Sequence, residues 1–289
     1  MPYFVSNRNI RRLSDYIDAI SELRARDRNY YKTLHRWYRG HASMSWNLIP
    51  KIQRELENAS TEDFFRRERD LVNNFQIRAS ILSASQPSLT DFAAWLTIMQ
   101  HYGVPTRLLD WSRSPLVALY FALNQTILDE DGCVWMLLPE KLNASQRLEA
   151  PSIVDDKEYI NAFVYSMAHN TITKMIYTAF RRWELSSNGE AITPDDKKFD
   201  HRFRTLSDKI AACYPIEADG RIYNQYAAFT VHNTSRLLID ACDDDFLMQI
   251  IIPADSKKQL LDDLAVCGIT ESIIFPDYEH LANELRRVF

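Results

Sequence analysis

Three short stretches hold the side chains best suited to chemistry: Tyr38-Arg39-Gly40, Thr106 to Ser112, and Tyr223-Asn224-Gln225-Tyr226. In the first, an arginine stands at the end of an expected strand, where its forked guanidinium suits a phosphate or a carboxylate. Gly40 beside it lets a ligand approach the backbone closely. The same pattern also fits a surface ion pair beside a turn, and His41 after the glycine adds little by itself. In the second stretch, Arg107 and Asp110 either close a buried bidentate bridge on each other or face a ligand. Thr106 offers a hydroxyl and Trp111 a stacking face. Tyr120, on the helix that follows, is either core or a ring for a flat ligand. In the third stretch Gln225 either aims an amide into a cleft, where it suits hydroxyls, or is a solvated amide at the entry of a strand containing Phe229.

The elements around these residues follow from spacing. Gly103 and Pro105 end one helix, and Thr106 to Leu109 reads as a short strand. Ser114-Pro115 then starts a second helix, with a hydroxyl cap followed by proline at the first helical position. Leu116, Leu119, Tyr120 and Leu123 follow at helical spacing, and apolar residues fill the other face, so this helix is expected to be buried nearly all round. The polar cluster between two buried elements must be paired or face a cavity. Upstream, the pattern predicts a helix over 10–28, a strand from Leu34 to Tyr38 ending at Arg39-Gly40-His41, and helices from about Glu62 and Thr90. Downstream it predicts strands at Cys133–Leu138, Phe246–Ile252 and Glu271–Phe275, and one carried within Ile222–His232 with its heart at Ala227–Val231. It also predicts helices at Ala162–Trp183 and Ser256–Val266, and a terminal helix capped by Asp277. Helices come first and strands mix in later, which implies an α+β fold rather than a regular βαβ alternation. The whole of 1–289 is read as one domain. Its helical elements lie at 1–33 and 62–101, its mixed-sheet core at 34–61 and 102–289, and a helical insertion at about 155–210.

Composition narrows the classes. At 46% hydrophobic and 12% aromatic, the 289 residues can build a real core. No apolar run approaches the roughly 18 residues of a membrane span, so no membrane partner is expected. Cys133, Cys213, Cys242 and Cys267 are scattered and fit reduced thiols in a cytoplasmic protein. A net charge of −5 argues against coating nucleic acid by bulk attraction. Only six glycines occur, and neither of the glycine-rich phosphate loops is present. There is no G-x-S-x-G, and the histidines form no H-x-x-x-H pair, so no metal site is expected; Asp243-Asp244-Asp245 reads as a solvated turn. Arg181-Arg182-Trp183 and His201-Arg202-Phe203-Arg204 interleave cations with aromatics, which suits either a nucleic-acid strand or a solvated helix face.

Taken together, Tyr38-Arg39-Gly40, Leu48-Ile49-Pro50 with Arg54, QHYGVPTRLLDW, SPLVALYFA, Arg221-Ile222 with Gln225 and Phe229, and Phe275-Pro276-Asp277 resemble the FRG-domain family of bacterial proteins. That likeness runs from about residue 35 to 280 and implies a role among defence and toxin genes, with an antitoxin or chaperone as partner. The order of signals is also similar to that of ADP-ribosyltransferases, which implies split mixed or antiparallel sheets with N-terminal and inserted helical parts. In that resemblance a first-strand arginine grips the co-substrate NAD, a second strand brings a hydroxyl, and a later strand carries a glutamate. Arg39, Thr106 and Gln225 fall at those catalytic places, with Gln225 standing where the glutamate would be. Tyr38, Gly40, His41, Arg107, Asp110, Trp111, Tyr120 and Phe229 would then line the NAD site. The implied activity is transfer of ADP-ribose to a macromolecule, RNA or other nucleic acid ahead of protein. A glutamine holds a ribose hydroxyl but supplies neither charge nor base, so an inactive nucleotide sensor is the alternative. A metal-dependent nuclease is the second alternative.

Overall fold

Phe4–Val5 (β1), Trp37–His41 (β2), Leu108–Ser112 (β3), Gly132–Leu137 (β4), Ile210–Cys213 (β5), Ala227–His232 (β6) and Leu247–Ile252 (β7) join one sheet in the order β1-β7-β4-β2-β3-β6-β5. The structure is a computed structural model and describes residues 3–6, 8–26, 35–55, 60–79, 81–82, 86–89, 91–123, 129–148, 208–215, 220–242 and 246–288. Only β1 and β7 run parallel; the other pairs are antiparallel, so the sheet is mixed and the fold is α+β. β4 and β6 are buried along their whole length, which explains why their sequences read as continuous rather than alternating apolar runs. The expected helical insertion at about 155–210, both basic–aromatic clusters and the Asp243-Asp244-Asp245 turn fall almost wholly outside the described residues.

The sheet is thinnest at its centre. β4 pairs with β2 through five registers and with β7 through six, and β3 pairs with β6 through five. β2 and β3, by contrast, share one register, Tyr38 with Ser112. Beyond that pair the two strands part. Among the described residues the strands form one continuous sheet with this seam in it, and not the split sheets that the ADP-ribosyltransferase resemblance implied.

Helices fix both sides of this seam. Pro115–Ala122 (α5) starts as its residues dictate, with the Ser114 hydroxyl accepting from the Val117 N–H and proline in the first turn. It lies directly on β2: a Cβ built on Gly40 would sit 1.9 Å from the Ala118 carbonyl oxygen and 2.5 Å from the Ala122 nitrogen. Phe92–His101 (α4) is capped by Asp91 and released by Gly103 at φ +73°. Thr61–Ala79 (α3) is tied to the start of β3 by a buried ion pair. Glu68 accepts from the Arg107 backbone N–H at 2.8 Å and from its guanidinium, which also donates to Asn233 Oδ1 at 3.0 Å. The Phe65 ring lies 4.5 Å from that guanidinium.

Several expectations shift. The second strand is Leu108–Ser112 rather than Thr106–Leu109, because the Arg107 amide goes to Glu68 and the strand ladder starts after it. A two-residue strand, Phe4–Val5, lies in the segment expected to be helical, ahead of Leu13–Arg26 (α1). Gly220–Asn224 (α7) and a turn at 225–226, with Tyr226 at φ 50°, precede β6, so the strand takes Ala227–His232, the expected heart of that segment, and Ile222 to Tyr226 stay outside it. Glu271–Ile274 (α9) is helical, not a strand. Lys51–Glu55 (α2), Pro139–Ser145 (α6) and Lys257–Val266 (α8) complete the order up to Tyr278–Val288 (α10), where the Asp277 carboxylate caps the His280 N–H at 2.9 Å as its sequence position implies.

Candidate functional site

The parting of β2 from β3 opens a cavity of about 290 Å³. Its walls come from five places: Tyr38 to His41 on β2, Trp46 and Arg54 beyond it, Thr97 to His101 on α4, Asp110 to Ser112 on β3, and Ile222 to Phe229 around the start of β6; Ala118 and Phe121 of α5 close it. Arg39 and Gln225, 186 positions apart in sequence, therefore face one hollow.

Arg39 is held by the seam itself. Arg107 accepts from His232, and Arg113 donates to Tyr226, so the odd-numbered residues of this stretch bond toward β6. Alternation then turns the Asp110 carbonyl toward β2, where no ladder continues. Arg39 Nη1 takes that carbonyl at 2.7 Å, and Arg39 Nε donates to His41 Nε2 at 3.0 Å. The Asp110 carboxylate lies farther away, at 3.8 Å, and is half exposed. Burial lowers the guanidinium to about 10, with Asp110 pulling it back up, so it remains charged at neutral pH. Arg54 adds a second guanidinium, which has no ion-pair partner among the described residues, and Asp110 is the sole carboxylate on the described walls.

Burial and these cations together set the state of His41. Burial, then Arg39 and Arg54, push it down to about 2, with the Trp46 backbone pulling weakly the other way. The ring is neutral, and because Arg39 Nε always donates, the His41 proton sits on Nδ1. That nitrogen is buried and has no hydrogen-bond partner among the described residues. His232, behind the site, is likewise driven down to about 3 by burial and by Arg39.

On the opposite wall Ser112 Oγ donates to the Gln225 carbonyl at 2.7 Å, and Gln225 Nε2 reaches the Ile274 carbonyl at 3.3 Å. The Gln225 side-chain oxygen has no such bond among the described residues.

Tyr38, Gly40, His41, Asp110, Trp111 and Phe229 thus stand with Arg39 and Gln225 on the walls, while Thr106, Arg107 and Tyr120 do not. Arg107 does not bridge to Asp110, because residues three apart along an extended backbone face opposite ways; it is spent on Glu68 and Asn233. Thr106 is fully buried, and its hydroxyl donates to Gln100 Oε1 at 2.6 Å while accepting from the Leu108 N–H. The second-strand hydroxyl in the cavity is Ser112 instead. Tyr120 packs against the main core, and its neighbour Phe121 faces the hollow. Trp111 borders the cavity but is nearly all buried, its indole N–H donating to Thr230 Oγ1 at 3.1 Å. Gly40 answers to the approach of α5 at least as much as to any ligand.

Sequence reasoning missed Trp46, Gln100, Phe121 and Arg54 as wall residues. Trp46 is 42% exposed, and its ring lies 5.9 Å from that of His41, so it offers a free aromatic face at the rim. Its signal was a tryptophan in a polar loop; that of Arg54 was its place in the quoted family pieces.

No curated protein and no solved structure matches this chain. Residues 35–131 match the family model described as the FRG domain, a span from β2 through α5 that carries Arg39, Arg54, Gln100, Asp110 and Ser112 but not the wall at Gln225 and Phe229. That span, about a third of the chain, is similar to an FRG domain.

Proposed function

We propose that the cavity binds NAD and that the chain transfers ADP-ribose from it to a macromolecule, as a bacterial defence or toxin effector working in the cytoplasm. The observation that carries this reading is the charge of the hollow: two guanidiniums against one half-exposed carboxylate, with aromatic surface from Trp46, Phe121 and Phe229 beside them. That combination suits an anionic ligand with a flat ring. A volume of about 290 Å³ lies at the small end of ligand sites and takes a nucleoside-sized part of the dinucleotide. The remainder extends along the open mouth toward Arg54.

Breaking the bond to nicotinamide develops a cation on the ribose, as in glycoside hydrolysis. Gln225 offers its side-chain oxygen to a ribose hydroxyl but no charge. A nucleic-acid acceptor is favoured over protein, and a toxic activity of this kind calls for an antitoxin or chaperone.

The test is incubation of the purified chain with labelled NAD and cell extract. Label on RNA, DNA or protein is the expected outcome, and it should fall in Arg39→Ala and Gln225→Ala while both variants stay folded. Undiminished labelling in both would remove this site. The sensor reading has one observation in its favour, the amide at Gln225, and it predicts NAD binding without label transfer. Among the described residues no three His, Cys, Asp or Glu side chains group as a metal site, so nothing observed favours the nuclease.

A further inference from the structure

We infer that Asp110 is the general base of this site, and that Gln100 and Thr106 are the positioning residues that aim it; this rests on the transferase reading. Four hydrogen-bonding groups form a chain with one direction. The Leu108 N–H donates to Thr106 Oγ1 at 3.1 Å, so the Thr106 proton is free to point onward. It goes to Gln100 Oε1 at 2.6 Å. That bond sets the Gln100 amide the one way round that presents Nε2 to Asp110, and Nε2 donates to Asp110 Oδ2 at 2.7 Å.

One carboxylate oxygen is thereby fixed. The other, Oδ1, has no partner among the described residues, and Asp110 is the single exposed residue of β3. This chain gives a purpose to Thr106, which is wholly buried and does not reach the cavity itself.

Other groups on the walls suit the role less well. Gln225 accepts no proton at neutral pH. His41 has its Nε2 lone pair occupied by Arg39 and a proton already on Nδ1. His101 stands at the end of α4 with its ring packed edge-on against Tyr102, 4.7 Å between centroids.

In the step assigned, an oxygen nucleophile, water in the simplest case, attacks C1′ of the nicotinamide ribose of NAD. The C1′–N bond breaks, and nicotinamide leaves with that electron pair as a neutral molecule. The nucleophile's proton passes to Asp110 Oδ1. The products are ADP-ribose, nicotinamide and a protonated Asp110, which returns its proton to solvent.

The experiment follows NAD hydrolysis by the full chain, separating kcat from KM, in wild type, Asp110→Asn, Thr106→Val, Thr106→Ser and His101→Gln. Asp110→Asn keeps size and polarity, and loss of a general base lowers kcat by about 100-fold or more, with KM unchanged. Thr106→Val lowers kcat by about tenfold through misplacement of the base. Thr106→Ser, which keeps the hydroxyl, restores kcat; a merely structural role for Thr106 would give no such split between kcat and KM. Wild-type turnover that survives Asp110→Asn, or is lost in His101→Gln instead, overturns the assignment of the base and leaves the transferase reading standing. No NAD breakdown by the wild type, either alone or with cell extract supplying acceptors, overturns both.

Discussion

Lowering the pH from 7 to 5 should weaken this fold through two buried histidines. His41 and His232 are held neutral in the folded chain, at about 2 and about 3, against an ordinary value of 6.5. A folded-state value below the unfolded one means that the unfolded chain binds the proton first. The contribution of each ring to stability is therefore complete above 6.5 and is lost as the pH falls from there toward the folded value. Each unit below 6.5 costs about 1.4 kcal/mol per histidine, so pH 5 removes about 2 kcal/mol for each and about 4 kcal/mol together. That is a large part of the roughly 5–15 kcal/mol that a domain possesses. The depressed carboxylates titrate below this window and leave it clean; Asp15 and Asp277, for example, are lowered mainly by backbone N–H bonds. The assay is urea unfolding at pH 7, 6 and 5 for wild type and for His41→Gln. Removing one such ring should flatten the slope between pH 5 and 6 by about 1.4 kcal/mol per unit. A wild-type stability that is level from pH 7 to 5, or a slope that His41→Gln leaves untouched, would refute the reasoning that Arg39, Arg54 and burial hold this ring neutral.

Three further outcomes test the packing around the site. Gly40→Ala places a methyl 1.9 Å from the Ala118 carbonyl, so α5 must move; a loss of about 3 kcal/mol or more is expected in thermal or urea unfolding. Glu68→Ala strands the Arg107 guanidinium where both side chains are nearly inaccessible, 6% and 3% exposed, and should cost about 3–5 kcal/mol by the same measurement. Asp277→Ala removes a helix cap at an exposed position, with an expected loss of about 1 kcal/mol, readable as a small fall in Tm without effect on ligand binding.

What was legible in the sequence depended on how local its cause was. Ser114-Pro115 announces α5 because a cap and a proline act within one helical turn, and the structure places the helix where they put it. Asp277 does the same for α10. The pairing of Arg107 was not legible, since Glu68 lies 39 residues away on α3 and nothing near Arg107 points to it. The same limit explains Thr106, whose partner Gln100 sits across a turn that had to fold before the bond could be seen. Glu271 to Ile274 misled because Ile273 and Ile274 favour a strand by propensity, whereas the segment's own bond from Ile274 to Thr270 and its packing against α10 make it helical. The seam between β2 and β3 leaves no mark in composition or spacing at all. It is a property of how few registers two distant strands share, and the whole candidate site depends on it.

The most direct test of the account is a crystal structure of the chain grown with NAD at saturating concentration. It should show the dinucleotide entering between β2 and β3, with a phosphate or ribose oxygen within hydrogen-bonding reach of Arg39 and an aromatic ring against Trp46, Phe121 or Phe229. NAD bound elsewhere on the chain, or a hollow that stays free of it at that concentration, would contradict the claim.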